Sequence, residues 1–154
     1  MQQALALAKQ GAAAGEIPVG ALLVHDGQII GQGYNCPIGT HNPTAHAEIV
    51  ALQDACARLN NYRLPKDTTL YVTLEPCTMC FGALIHARVT RVVYGASEPK
   101  SGAVGSRLSL HQMDFYNHHI AVQNGLLACE CSQVLSNFFK QRRKDKRSEK
   151  LAKS

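Results

Sequence analysis

Residues 68–87 read TTLYVTLEPCTMCFGALIHA. The first eight are β-branched and aromatic, the composition of a buried strand. Pro76 follows at once, and proline is accepted in a helix only in its first turn, so residues 76–87 are expected to form a helix that starts where the strand stops. A strand handed directly to a helix is the repeating unit of a layered α/β fold.

The flanking sequence extends that pattern. VGALLVHDGQIIGQGYN (19–35) reads as two strands joined by Asp26-Gly27, a strong hairpin signal. A helix is expected over 2–14, ended near Gly15. Asn35 stands at the exit of the hairpin, before a Pro/Gly loop that runs through Thr44. The next helix is expected to begin between Asn42 and Thr44, with Pro43 in its first turn. Ala45, Ile49, Leu52, Cys56 and Leu59 then recur at helical gaps and predict its core stripe. RVVYGA (91–96) and HHIAVQNG (118–125) supply two more strands. A last helix carries Leu127, Cys131, Val134 and Phe138 on one stripe, with Phe139 beside it. Strands interleaved with helices predict a three-layer α/β/α sandwich on one five-stranded sheet. The sheet is expected to be mixed, because the hairpin is antiparallel and strands joined through helices can run parallel.

Length and composition set bounds on the function. The chain has 154 residues, of which 45% are apolar and 18% charged, and it is expected to form one domain over 1–154. It contains no apolar run of 18 residues, so no membrane span is expected. The N-terminal stretch MQQALALAKQ has no basic residue before its apolar part, and Lys9 interrupts that part. It is not read as a secretory signal, and a cytoplasmic location is expected. Six cysteines without such a signal argue for metal ligation and burial rather than a disulfide scaffold. The net charge of +5 is unevenly placed. Residues 140–154 hold eight Lys/Arg and two acids, against eight bases and nine acids in residues 1–139. A basic end of this kind is either a solvated helix or an attraction for a polyanion such as nucleic acid.

Two short motifs carry the chemistry. His46-Ala47-Glu48 and Glu75-Pro76-Cys77-Thr78-Met79-Cys80 each fall at an expected helix start. Cys77 and Cys80 are three residues apart, so on a helix they share a face. The helix N-terminus favours thiolate, the form that binds metal. Zinc takes sulfur and imidazole ligands in a tetrahedron. His46, Cys77 and Cys80 make three ligands and leave the fourth position open, which is the arrangement of catalytic rather than structural zinc. Residues i and i+2 of a helix do not share a face, so Glu48 is free for another task. A carboxylate beside zinc can accept the proton of a water whose pKa the metal has lowered, and return protons to a ring nitrogen and a departing amine. H-x-E…P-C-x-x-C is an established signature of zinc deaminases that act on nucleobases. KSGAVGS (100–106) is glycine-rich but matches no phosphate-loop pattern, and no nucleotide role is expected of it.

The segments NPTAHAEI, NYRL, LYVTLEPCTMC, VVYGA and SGAVGS closely resemble the bacterial tRNA-specific adenosine deaminase family, over about residues 3 to 143. The resemblance implies a cytidine-deaminase-like fold, a homodimer, one Zn2+ per subunit, and conversion of adenosine to inosine at the first anticodon position of an arginine tRNA. It implies that His46, Cys77 and Cys80 hold the zinc and that Glu48 shuttles protons. It further implies substrate contacts from Asn35, from Ala47 through its backbone, and from Glu98, Phe138, Phe139, Arg142 and Arg143. Glu98 stands where the family often has Asp, and Phe81 where a smaller residue is usual, so crowding is expected around Phe81. Two other readings stay open on residues alone. One is a deaminase of free nucleobases, nucleosides or nucleotides; the other is a non-catalytic RNA-binding protein with a structural zinc.

Overall fold

One mixed sheet, β2-β1-β3-β4-β5, forms the centre of the protein in a computed structural model that describes residues 1–153. Its strands are β1 (Gly20–His25), β2 (Gln28–Tyr34), β3 (Thr69–Leu74), β4 (Arg91–Ala96) and β5 (Ala121–Asn124). β1 pairs antiparallel with β2 and β3, while β3–β4 and β4–β5 are parallel. Asp26 and Gly27 close the hairpin with positive φ of 48° and 71°, the geometry that matches the strand twist. The helices are α1 (Gln2–Ala13), a single turn α2 (Pro37–Thr40), α3 (Ala47–Leu59), α4 (Thr78–His86) and α5 (Ala128–Ala152).

Alternation along the strands builds the three layers. Ala21, Leu23, Leu70, Val72, Val92 and Tyr94 face the main core with α3 and α4, whereas Leu22 and Tyr71 turn to α1. α5 docks beside α1 through Cys131, which is buried with Leu5 and Ala96. The expected stripe on α5 is realised in Leu127, Cys131 and Val134, and Leu135 packs on the main core as well. Phe81 is fully buried and meets Tyr116 edge-on at 5.5 Å between ring centroids. The bulk at position 81 is thus accommodated.

α3 departs from expectation in two respects. It begins at Ala47 rather than between Asn42 and Thr44. The Asn42 carboxamide accepts the Thr44 N–H at 3.0 Å, closing a tight turn around Pro43, and His46 stays extended at φ −71°, ψ 154°. The buried face is Ala47, Glu48, Ala51, Leu52 and Ala55, while Ile49 and Cys56 are half-buried and Leu59 is exposed. The cause lies in β2. A Cβ on Gly31 would come 2.5 Å from the Ala51 carbonyl oxygen, and one on Gly33 would come 2.6 Å from a Val50 methyl. The helix therefore lies close against a glycine strand, and small residues rather than large ones take that face.

Candidate active site

The site lies beyond the carboxyl ends of the parallel strands β3 and β4, where ligands of open α/β sheets generally bind. The antiparallel hairpin brings the entry of β1 and the exit of β2 to the same edge. From β2 the chain runs through Asn35 and α2 back to His46. Its neck is closed by the Cys36 N–H donating to the Ala45 carbonyl at 3.0 Å. Buried Glu16 fixes the turn of α2, accepting N–H groups from Ile38 at 3.2 Å and Gly39 at 2.6 Å.

His46 and Cys77 occupy equivalent positions, each the extended residue immediately before a helix. Such residues usually cap the helix with their side chains. Neither does so here; both side chains turn to a common point. His46 Nδ1 lies 3.7 Å from Cys77 Sγ and 3.5 Å from Cys80 Sγ, and all three donor atoms fall within 4.8 Å of one another. Tetrahedral zinc with its usual bond lengths would put nitrogen and sulfur about 3.6 Å apart. The donor set and its spacing fit such an ion, with the fourth position open.

The electrostatics agree with ligation. A hydrogen bond with Cys77 raises the His46 imidazole above its ordinary pKa. The Cys77 thiol is drawn down to about 4, first by the Cys80 thiol and then by His46, while Cys80 is held up as the partner that keeps the shared proton. A metal would displace that proton. Glu48, in the first turn of α3, is 4% exposed, and burial pushes its carboxyl up to about 7. A carboxyl near neutrality both takes and gives protons at physiological pH.

These groups open onto a cavity of about 250 Å³. Asn35, His46, Glu48 and Cys77 line its floor; Ile17, Val19 and Leu74 form an apolar side; Glu98 and Ser101 face Leu135 and Phe139 of α5 across the mouth. Asn35 Oδ1 accepts the Ala47 N–H at 2.7 Å. Phe139 also borders a hollow of about 220 Å³ with Arg142, Arg143 and Lys146, so the cavity mouth runs onto a basic surface.

A family model described as MafB19-like deaminase matches residues 1–143. The chain belongs to that family. A tRNA-specific adenosine deaminase from Haemophilus influenzae is 55% identical to this deaminase over 153 residues, covering 97% of this chain and 87% of the relative. A structure solved in work on A-to-I editing by tRNA:A34 deaminases at the wobble position of transfer RNA is 41% identical, with TM-score 0.84, over 88% of this deaminase and 97% of that chain. A guanine deaminase from Nitrosomonas europaea is 28% identical, with TM-score 0.74, over 89% and 81% of the two chains.

Of the residues singled out in the sequence, seven gather at the cavity or its basic rim: Asn35, His46, Glu48, Cys77, Glu98, Phe139 and the buried thiol Cys80. Arg142 and Arg143 lie on the adjoining helix surface. Ala47 and Phe138 belong neither to the cavity lining nor to that basic surface. Ala47 is fully buried and its N–H is taken by Asn35, so that backbone donor is not free for a substrate. Phe138 is on another side of α5, near Ala12 and Gly15, where its ring lies 5.9 Å from the Arg142 guanidinium.

Sequence reasoning gave no role to Glu75 or Glu16, nor to Leu135. Glu75 is 3% exposed and accepts from Glu98, Val104 and Ser106 of the glycine-rich segment. Burial alone would raise its pKa, but the Ser106 hydroxyl and these N–H groups outweigh burial and hold it below the ordinary carboxylate range. The anion in that loop is the protein's own carboxylate, consistent with the absence of a phosphate-loop pattern. An acid placed between a buried strand and a proline was the available signal for Glu75.

Proposed function

We propose that this deaminase converts adenosine to inosine at the first anticodon position of tRNA, an arginine tRNA, as a cytoplasmic homodimer with one Zn2+ per subunit. The observation that carries the reading is the convergence of Glu48 and three metal-type donors on one small cavity whose mouth continues onto the Arg142–Arg143–Lys146 surface. High identity to a tRNA-specific adenosine deaminase supports the same substrate. No helix among the described residues is long and apolar enough to cross a membrane.

His46, Cys77 and Cys80 would hold the zinc. When bound, zinc supplies a Lewis acid that lowers the pKa of water towards neutrality. The cavity is smaller than drug-sized sites, which begin near about 300 Å³, and suits a single extruded nucleoside with the rest of the loop left outside. Asn35 presents its amide hydrogens to the purine, because Ala47 has taken its oxygen. Glu48 accepts the proton of the attacking water and delivers it to the ring nitrogen beside C6. Glu48 then takes the remaining proton from the new C6 hydroxyl and passes it to the amine, so that the C6–N bond breaks, ammonia leaves and the C6–O bond is kept as the inosine carbonyl. General acid–base assistance of this kind is worth about 10²–10⁴ in rate. Glu98 and Phe139 border the mouth, Arg142 and Arg143 attract phosphates, and Phe138 supports Arg142.

The test is a zinc-loaded preparation given an RNA hairpin with adenosine at the first anticodon position, with free guanine and cytidine in parallel. Inosine in the hairpin, read by mass, is the expected result. Ammonia from a free base with an unaltered hairpin would keep the chemistry and replace the substrate. Sedimentation at micromolar concentration tests the dimer, and a stable monomer would contradict it.

A further inference from the structure

We infer that Glu75 is a positioning residue for the deamination: its carboxylate is the core around which the 98–106 loop is wound, and it sets the cavity wall that this loop presents to the RNA. The inference rests on the RNA substrate proposed above.

One side chain holds both ends of the loop. Oε2 accepts the Glu98 N–H at 2.9 Å and the Ser106 hydroxyl; Oε1 accepts the N–H groups of Val104 at 3.1 Å and Ser106 at 2.9 Å. The middle of the loop is pressed against the same group. A Cβ on Gly102 would come 2.3–2.5 Å from the Glu75 carboxyl atoms, so no larger residue fits there without moving the loop. The Ala103 N–H adds a bond to the Pro76 carbonyl at 2.9 Å. The loop belongs to no helix or strand: apart from an isolated bridge between Val104 and Ser109, its own turn bonds, such as Gly102 N–H to the Glu98 carbonyl at 2.9 Å, shape it locally, while Glu75 ties it to the end of β3.

The loop residues on the cavity wall are Glu98, itself one attachment, and Ser101, which lies between the attachments; Glu75 borders the cavity beside them. Glu75 sits two residues before Cys77, so the anchor of this wall and the metal-type donors share one stretch of backbone. Both of its oxygens already accept two donors each, which leaves Glu75 unsuited to proton transfer and separates its role from that of Glu48. A Gln here would keep one oxygen, and its amide hydrogens would face N–H and O–H donors, leaving at least two unpaired.

The experiment compares zinc-loaded wild type with Glu75→Gln, Gly102→Ala and Ser106→Ala on the anticodon hairpin, below their melting temperatures. Glu75→Gln and Gly102→Ala disturb the loop from opposite sides, and each is expected to raise KM on the order of tenfold with kcat changed far less. Ser106→Ala removes one bond of the four and is expected to fall between. Zinc content is expected to stay at one per chain. Folded variants with lowered melting temperature but KM within twofold of wild type would make Glu75 part of the scaffold only and overturn the inference. A fall in kcat at unchanged KM, or lost zinc, would overturn it equally, placing Glu75 in support of the metal donors. If Glu75→Gln does not fold, the other two variants decide. A wild type silent on the hairpin would strike the RNA reading instead. Hydrogen exchange then tests the anchor: the Val104 and Ser106 amides should exchange at least about tenfold faster in Gly102→Ala, and unchanged exchange would overturn it.

Discussion

The Asn35 carboxamide oxygen accepts the Ala47 N–H at 2.7 Å, tying the exit of β2 to the first residue of α3. One side chain thereby satisfies an orphan helix donor while lining the cavity, and the proposed function gives its amide hydrogens to the substrate. Asn35→Ala should lose both functions, costing about 1 kcal/mol of stability together with activity. Asn35→Asp keeps the acceptor and removes the donor. It should retain stability to within about 0.5 kcal/mol while deamination falls. Thermal unfolding and initial rates on the two variants separate the roles; equal activity in Asn35→Asp and wild type would remove Asn35 from substrate binding.

Neighbouring phenylalanines on α5 should behave differently. Phe139 is 39% exposed at the cavity mouth, whereas Phe138 lies beside Ala12 and Gly15. Loss of base stacking on Phe139→Ala should raise KM for the hairpin by on the order of tenfold or more. Phe138→Ala should raise it less, acting through Arg142. Equal effects would contradict the arrangement.

The basic surface predicts a salt dependence. Arg142, Arg143 and Lys146 adjoin Phe139, and each phosphate neutralised on single-stranded RNA contributes about 0.7 to the slope of log affinity against log salt. Arg142→Gln with Arg143→Gln should therefore reduce that slope by about 1.4 if each arginine meets one phosphate. An unchanged slope in binding titrations from low to physiological salt would place the RNA elsewhere.

Glu75 also predicts behaviour in acid. Its folded-state pKa is depressed, so the folded protein takes up that proton less readily than the unfolded chain. The stability it contributes is full above the ordinary carboxylate pKa and is lost as pH falls through the depressed value. Urea midpoints followed from neutral pH into acid should decline more for wild type than for Glu75→Gln. Parallel declines would contradict the assignment.

Much of this arrangement was legible because it is local. Asp26-Gly27 closes a hairpin through its own backbone preferences, and the β-branched run stops at Leu74, just before Pro76, with α4 opening at Thr78, two residues later than expected, behind the extended Cys77. The metal-type donors were legible because His46 and the Cys77/Cys80 pair each sit at a helix start that short-range chemistry marks. Other features depended on distant partners. The Ala47–Ala51–Ala55 face of α3 is dictated by Gly31 and Gly33 on another element, and hydrophobic periodicity alone favoured Ile49 and Leu59. The roles of Glu16 and Glu75 exist only through loops 22 to 31 residues away in sequence. The bond from the Ala47 N–H to Asn35 likewise joins residues 12 apart in sequence, beyond the reach of local patterning.

The central claim is that Glu48 moves protons beside a zinc ion held by His46, Cys77 and Cys80. The most direct test measures inosine formation on the anticodon hairpin by wild type and Glu48→Gln, with the zinc content of both proteins determined. The account predicts one zinc per chain in each and a loss of turnover in Glu48→Gln of about 10²–10⁴-fold or more. Normal turnover by zinc-loaded Glu48→Gln would contradict it.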